Sequence, residues 1–286
     1  MIEIKTLDNI PFQQIYVTVS DAFSDYVEPF DLTIEELKYM FERRGYDLKI
    51  SFGAFDNDKL VGITINGVGN WNGKLTAYDS GTGIIKEYRK RGIASRMFNE
   101  SVPVLRENGI KQYLLEVIKS NTGAYELYKK AGFRVVRELD YFKIDINELK
   151  YQKLVAKQGI HFRIIEEPDW EIIRSFWAFE PSWQNSVDSL NRKIEHLKIL
   201  GMYEESNLIG YGIIEPHTGD IPQLAISPEF RRQGLGTSLF RVLINYSEVN
   251  SLRIINSDSS YLPFREFMKS MEIEPGDGQY EMILEL

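Results

Sequence analysis

The residues best placed to do chemistry lie in a short basic turn, Tyr88-Arg89-Lys90-Arg91-Gly92-Ile93-Ala94-Ser95, directly after the apolar strand end Ile84-Ile85. The spacing beyond Gly92 predicts a helix. Arginines at the start of a helix face the positive end of its dipole, which is unfavourable unless an anion is present. Gly92 and Ala94 keep side chains out of the way, so the backbone N–H groups from Arg91 to Ser95 can approach a ligand closely. A phosphate on the helix N-terminus satisfies both features. One such turn is equally compatible with a solvated basic loop. The chain carries a second copy, Ile226 followed by Arg231-Arg232-Gln233-Gly234-Leu235-Gly236-Thr237. The duplication favours the anion loop, with donors from Gln233 to Thr237 in the second copy.

Both turns resemble the acyl-CoA loop of the Gcn5-related N-acetyltransferases (GNAT), whose signature is Arg/Gln-x-x-Gly-x-Gly/Ala. The resemblance spans nearly the whole chain as two tandem units. It implies that the loop amides hold the pyrophosphate of coenzyme A, with Arg89, Arg91, Gly92, Ile93, Ala94 and Ser95 in the first copy. Arg231, Gln233, Gly234, Leu235, Gly236 and Thr237 take that place in the second. It further implies that the strand carrying Gly81 and Gly83 splays from its neighbour and receives the pantetheine arm. A backbone amide near Ile84 and Ile85, and near Ile226 in the second copy, would then polarise the thioester carbonyl.

A second motif supports the same family. Asn121-x-x-Ala124-x-x-Leu127-Tyr128-x-x-x-Gly132-Phe133 follows Leu115-Glu116-Val117, and the combination resembles the ribosomal-protein alanine acetyltransferases. By that resemblance Tyr128 is the general acid, Glu116 the candidate general base and Asn121 part of the cofactor site. Transfer requires such a pair. An ammonium must lose a proton before attacking the thioester, and the departing thiolate is stabilised by gaining one. Gly132 reads as a helix cap and Phe133 as core.

Composition narrows the field. Lys+Arg 34 against Asp+Glu 42 gives a net charge of −8, which disfavours a nucleic-acid partner and suits a cationic acceptor. The chain has no cysteine, which rules out structural disulfides, thiolate metal sites and an acyl-cysteine intermediate. Three scattered histidines give no basis for a zinc site, so no metal is expected. Without a signal peptide or a long apolar run, the chain reads as cytoplasmic and not membrane-bound.

The elements that position these residues follow from periodicity. A strand at Ile2–Leu7 precedes helical spacing over about 11–24 and 33–45, the latter opened by Thr33 with Glu35 and Glu36. The connection between these helices contains Tyr26 and Glu28. Rings and carboxylates suit a cation, so this segment is a candidate wall of the amine pocket. Two hairpins follow, turning at 56–58 and at Asn72-Gly73.

The expected fold class is α/β (α+β), with two tandem acyl-CoA N-acyltransferase domains, each a mixed, largely antiparallel sheet flanked by helices. The boundaries are placed at 1–147 for a catalytic domain, 148–160 for a connector and 161–286 for a degenerate domain. Ile4 aligns with Ile164, Gly62 with Gly210, Gly92 with Gly234 and Tyr128 with Met268, at offsets that shrink along the chain. The second half is therefore shortened around its would-be acceptor pocket. The last offset puts Asn256 in the place of Glu116, with Asp258 and Tyr261 as substitutes only if the register shifts. The reading is an N-acetyltransferase moving acetyl from acetyl-CoA directly to a primary amine, either a small amine or a peptide N-terminus. It is expected to act as a monomer with an internal pseudo-dimer, or as a weak homodimer. Two alternatives stand: an acyl-CoA-binding sensor or interaction module, or catalysis in the second half.

Overall fold

The computed structural model describes residues 1–25, 31–149 and 159–286. In chain order the first part contains β1 (Ile2–Thr6), α1 (Phe12–Phe23), α2 (Ile34–Arg44), β2 (Phe52–Asp56), β3 (Lys59–Trp71) and β4 (Lys74–Ile84). It continues with α3 (Ile93–Glu107), β5 (Gln112–Ile118), α4 (Thr122–Lys130) and β6 (Arg134–Asp145). The second part contains β7 (Ile160–Ile164), α5 (Trp170–Ser175), α6 (Val187–Asn191), β8 (Lys198–Glu204), β9 (Asn207–Glu215) and β10 (Asp220–Ile226). It closes with α7 (Leu235–Leu243), β11 (Ser251–Asp258), α8 (Leu262–Ser270) and β12 (Gln279–Glu285). No described helix is long and apolar enough to cross a membrane.

The chain divides into two compact units that do not coincide with its halves. The first comprises Met1–Val136 with Glu281–Leu286; the second is Arg137–Tyr280. The division therefore falls inside β6 instead of in the 148–160 segment, most of which lies outside the described residues. The reason is hydrogen bonding. β6 pairs antiparallel with β11 from Ser251↔Asp145 to Asp258↔Leu139, within the second unit. The terminal segment instead lies beside β5, where the Leu286 N–H donates to the Lys111 carbonyl at 3.0 Å. Lys74 and Glu285 form an ion pair at 2.7 Å on the same side.

Within the first unit, β1, β2, β3 and β4 pair antiparallel in sequence order, and β5 joins β4 in parallel. In the second, β7, β8, β9 and β10 repeat that order, and β11 is parallel to β10. Each sheet carries helices on both faces, as expected. Alternation of apolar side chains along the strands buries one residue toward each face. In the first unit α1 and α2 bring Ile15, Val19, Leu37 and Phe41 onto Ile63 and Ile65. Ile93 and Met97 of α3 pack with Ala54 and Val61. The second unit repeats this, with Leu235, Leu239 and Leu243 of α7 on one side and Ile173, Phe176 and Leu190 on the other.

Local sequence signals decide where the helices begin. Thr33 and Glu36 form a reciprocal capping box that starts α2, and Gly45 ends it in the left-handed conformation at φ 77°. In contrast, α3 and α7 start without any side-chain cap, at Gly92 and Gly234. Their first N–H groups are left to whatever approaches from outside.

Candidate active site

The site is built around a gap between two parallel strands. β4 and β5 are paired only from Thr76↔Gln112 to Asp79↔Leu115, although β4 runs on to Ile84 and β5 to Ile118. The expected splay is present, and it begins at Asp79. In the second unit it opens earlier along the strands, since the pairing of β10 with β11 is at Asp220↔Arg253.

At the open end of each gap sits a loop with the same backbone. Lys90 and Gly92 have φ of 60° and 72°, and Arg232 and Gly234 repeat this with 62° and 78°. Alternating left-handed residues at a helix start turn successive N–H groups toward one point, an anion-binding concavity. A Cβ built on Gly92 or Gly234 meets nothing within 4 Å. The glycine is therefore required by its φ and by space kept free outside the protein, and not by packing.

The loop arginines are engaged within the protein. Arg89 Nε donates to the Ile84 carbonyl at 3.0 Å and its Nη2 to the Ala22 carbonyl at 2.9 Å, while both terminal nitrogens engage the Asp25 carboxylate. Arg231 repeats this, donating from Nε to the Ile226 carbonyl at 3.0 Å and from Nη2 to the Phe176 carbonyl at 2.8 Å. Both side chains thus tie the strand end to the preceding helical segment and fix the loop from beneath. Arg91 lies back over the Tyr88 ring at 4.9 Å and donates to the Glu87 carbonyl at 2.7 Å. Gln233 makes the same backward bond, to the Glu229 carbonyl. Arg89, Arg91 and Arg231 are thus bonded to protein carbonyls, while the first turns of α3 and α7 have no side-chain cap. Ile93, Ala94 and Ser95, and Leu235, Gly236 and Thr237, form the first turns of α3 and α7. Ile85 and Ser227 spend their own N–H groups on the Val61 and Ile209 carbonyls. Asn121 caps α4, its side chain accepting from Ala124 N–H at 3.2 Å.

The acid–base candidates of the first unit stand at the apex of the gap, on opposite faces of the sheet. Tyr128, on α4, donates to Asp79 Oδ2 at 3.0 Å, and Asp79 also accepts from Thr82 Oγ1 at 2.8 Å and Gly81 N–H at 2.9 Å. Burial pushes the Asp79 carboxyl above its ordinary value, although these three hydrogen bonds oppose the shift. On the α2 face, the Tyr78 hydroxyl donates to Glu116 Oε2 at 2.5 Å. Burial and the Glu116 charge hold the Tyr78 phenol well above its usual range. Arg44 of α2 adds a positive charge there and donates to the Ser80 carbonyl at 3.0 Å. Asp79 is the site residue that motif reading missed. Its signal is an aspartate set in a run that otherwise reads as buried strand, next to Ser80-Gly81. Tyr26 and Glu28, the proposed acceptor wall, lie outside the described residues.

The equivalent positions of the second unit carry different residues. Ile273 N–H bonds to the Met268 carbonyl as Phe133 N–H bonds to that of Tyr128, so Met268 occupies the tyrosine's place. Met268 is fully buried in the core, and a thioether has no proton to give. Counting back from the partners of Gly62 and Gly210, Ile221 stands where Asp79 does. Asn256 is a strand-bulge residue at φ 62°. Asp258 accepts from Ser260 N–H and hydroxyl and pairs with Arg137, so it serves as a turn cap. Tyr261 precedes α8, with its hydroxyl 3.4 Å from Arg231 Nη1.

The comparisons agree with this construction. The sequence matches the Acetyltransferase (GNAT) family over residues 13–133 and 165–258. The N-alpha-acetyltransferase MAK3 of Arabidopsis thaliana is 31% identical over 113 residues, covering 39% of this chain and 60% of that protein. N-alpha-acetyltransferase 30 of Schizosaccharomyces pombe is 31% identical over 105 residues, covering 36% of this chain and 70% of that protein. In fold, a tandem GNAT protein from the clavulanic acid biosynthesis pathway superposes with a TM-score of 0.75 at 15% identity, over 100% of this chain and 98% of that one. A GCN5-related N-acetyltransferase from Sphaerobacter thermophilus gives 0.73 at 15% identity, over 99% and 95%. With two loops, two splayed sheets and the family match in both regions, the chain belongs to the acetyltransferase (GNAT) family of acyl-CoA-dependent N-acyltransferases, in its tandem form.

Proposed function

We propose that the first unit transfers an acetyl group from acetyl-CoA to a primary amine by direct attack. The observation that carries this reading is the placement of Tyr128 and Glu116 on opposite faces of the sheet, at the apex of the β4–β5 gap. Coenzyme A lies with its pyrophosphate on the Arg91–Ser95 amides and its arm in the gap. The amine approaches from the α2 face. The ammonium gives a proton to Glu116, and the free amine attacks the thioester carbonyl. The C–S bond breaks as the C–N bond forms, and Tyr128 protonates the leaving thiolate. The products are an N-acetyl amide and coenzyme A, with one proton released overall.

The acceptor class follows the relatives, both named N-alpha-acetyltransferases, together with the likeness of the Asn121–Phe133 motif to ribosomal-protein alanine acetyltransferases. A peptide N-terminus is favoured over a free small amine. A thiol-release assay on the full chain tests the reading, with acetyl-CoA and a panel of peptides and small amines. Amine-dependent release that is lost in both Tyr128→Phe and Glu116→Gln is the expected result. Release insensitive to both substitutions sends catalysis to the second unit.

A further inference from the structure

We propose that the second unit holds an acyl-CoA whose acyl chain is longer than acetyl, and that it keeps this chain without transferring it. The inference rests on reading the Arg231–Thr237 loop as a pyrophosphate site.

The second unit contains a cavity of about 530 Å³, in the range of small-molecule binding sites. In the first unit the pocket beside Asp79 and Tyr128 is about 10 Å³. The large cavity begins at Arg232, Gly234 and Gly236 of the loop and runs between β10 and β11. It therefore passes through the sheet, from the α7–α8 face to the face covered by α5. Its walls are mainly Phe176, Trp177, Phe179, Pro222, Phe264 and Phe267. The part between β10 and β11 is the channel a pantetheine arm would take, and the apolar space beyond it, against Phe176, Trp177 and Phe179, exceeds what a two-carbon group needs.

The polar groups at the far end are neutral. Trp177 Nε1 donates to Tyr211 Oη at 2.7 Å, Tyr211 donates to Gln223 Oε1 at 2.7 Å, and Gln223 Nε2 donates to the Asn185 carbonyl at 2.6 Å. Burial raises the Tyr211 phenol far above its usual range, so this chain of bonds stays uncharged. Asn256 Nδ2 and Ser257 Oγ, in the β11 wall, are buried without a hydrogen-bond partner. A ligand's acceptor atom would relieve that cost. An ammonium entering here would meet rings and amides, with Ile221, Asn256 and Met268 at the three positions where the first unit has Asp79, Glu116 and Tyr128. The carboxylate that lines the cavity, Glu266, stands beside the loop and is paired with Arg232 at 2.9 Å, away from the neutral far end. An aliphatic chain meets what it needs, since each methylene taken out of water is favourable.

The test is calorimetry on the full chain with free coenzyme A, acetyl-CoA and octanoyl-CoA. Octanoyl-CoA is expected to bind at one site per chain at least about tenfold more tightly than free coenzyme A. Ala225→Trp, which fills the cavity from β10, should remove that preference while leaving free coenzyme A within roughly threefold. Ala178→Trp, at an exposed position of the wall, gives the same readout without entering the core. Equal affinity for free and octanoylated coenzyme A overturns the proposal and leaves the loop reading standing. Absence of any coenzyme A binding in the second unit overturns both. Octanoyl transfer to an amine that disappears with Ala225→Trp overturns the claim that the chain is kept.

Discussion

The Tyr128 hydroxyl donates to Asp79 Oδ2 across 3.0 Å, at the residue where β4 parts from β5. The phenol is thereby aimed at the apex of the gap by a carboxyl that burial keeps from ionising readily. Tyr128→Phe is expected to lower kcat by roughly 10²-fold, the usual scale for general acid–base catalysis. The KM for acetyl-CoA should move little, because the pyrophosphate contacts remain. Asp79→Asn should give a smaller loss, about tenfold, with a displaced pH–rate profile. A merely structural role for Asp79 would lower stability and leave the profile where it was.

Asp79 also sets a pH dependence of stability. Its native carboxyl titrates above the ordinary value of 3.8, so over that interval the folded protein binds more protons than the unfolded one. Stability contributed by this group is greatest below the ordinary value and is lost as pH rises through the raised one. Urea denaturation between about pH 4 and pH 7 should show a decline that Asp79→Asn abolishes. An identical decline in the variant would assign it to other groups.

The two loop glycines should differ in consequence though not in geometry. Valine at Gly92 or Gly234 forces a β-branched residue to φ near +75°, at a cost of roughly 1–3 kcal/mol, and blocks approach to the amides. Each substitution is expected to remove one coenzyme A site by calorimetry. Turnover should collapse with Gly92→Val and suffer far less with Gly234→Val. The reverse order would place catalysis in the second unit.

Arg89 is expected to matter through position and not through charge on the phosphate. Its guanidinium joins Ile84, Ala22 and Asp25, and Asp25 is held below the usual aspartate range chiefly by its hydrogen bond to Arg89. Arg89→Ala should lower Tm and loosen coenzyme A binding together, whereas raised salt should leave wild-type binding through the amides largely intact. If Arg89→Ala changed only the salt dependence of binding, the side chain would be a phosphate ligand after all.

Deleting Glu281–Leu286 removes a strand from the unit that contains Tyr128, although those residues belong to the second half of the sequence. The shortened chain is expected to lose acetyl transfer and to unfold its first unit at lower urea, with coenzyme A binding to the second loop retained. Full activity of the deletion variant would show that β5 needs no partner on that side.

Much of this arrangement is legible in the sequence, and what is not has identifiable causes. The loops could be read because a left-handed turn admits little besides glycine at Gly92 and Gly234, and because the pattern occurs twice. The replacement of Tyr128 by Met268 in the second unit could be read from the register alone, since Met268 keeps the hydrogen-bond place of Tyr128. The inward turn of Arg89 could not. Its partners are the carbonyls of Ile84 and Ala22, and backbone acceptors leave no trace in residue identity. Asp79 escaped because no motif marks it; its role comes from a contact with α4 at long sequence separation. The boundary escaped for a similar reason. β6 continues from the first unit's sequence without a break, and only its pairing with β11 reveals where it belongs.

That pairing has a bearing on biogenesis. The unit spanning Arg137–Tyr280 is continuous in sequence, while the unit that opens the chain draws in Glu281–Leu286. During synthesis domains fold as units once their residues have emerged, at about 5–20 residues per second. The later-coded unit draws on no segment outside its own stretch, whereas the earlier one is complete only with Glu281–Leu286. Until that segment arrives, the β5 edge is an unpaired strand edge, a template for pairing with another chain. The unit that contains Tyr128 and Glu116 thus gains its closing strand only after all of its companion has been made.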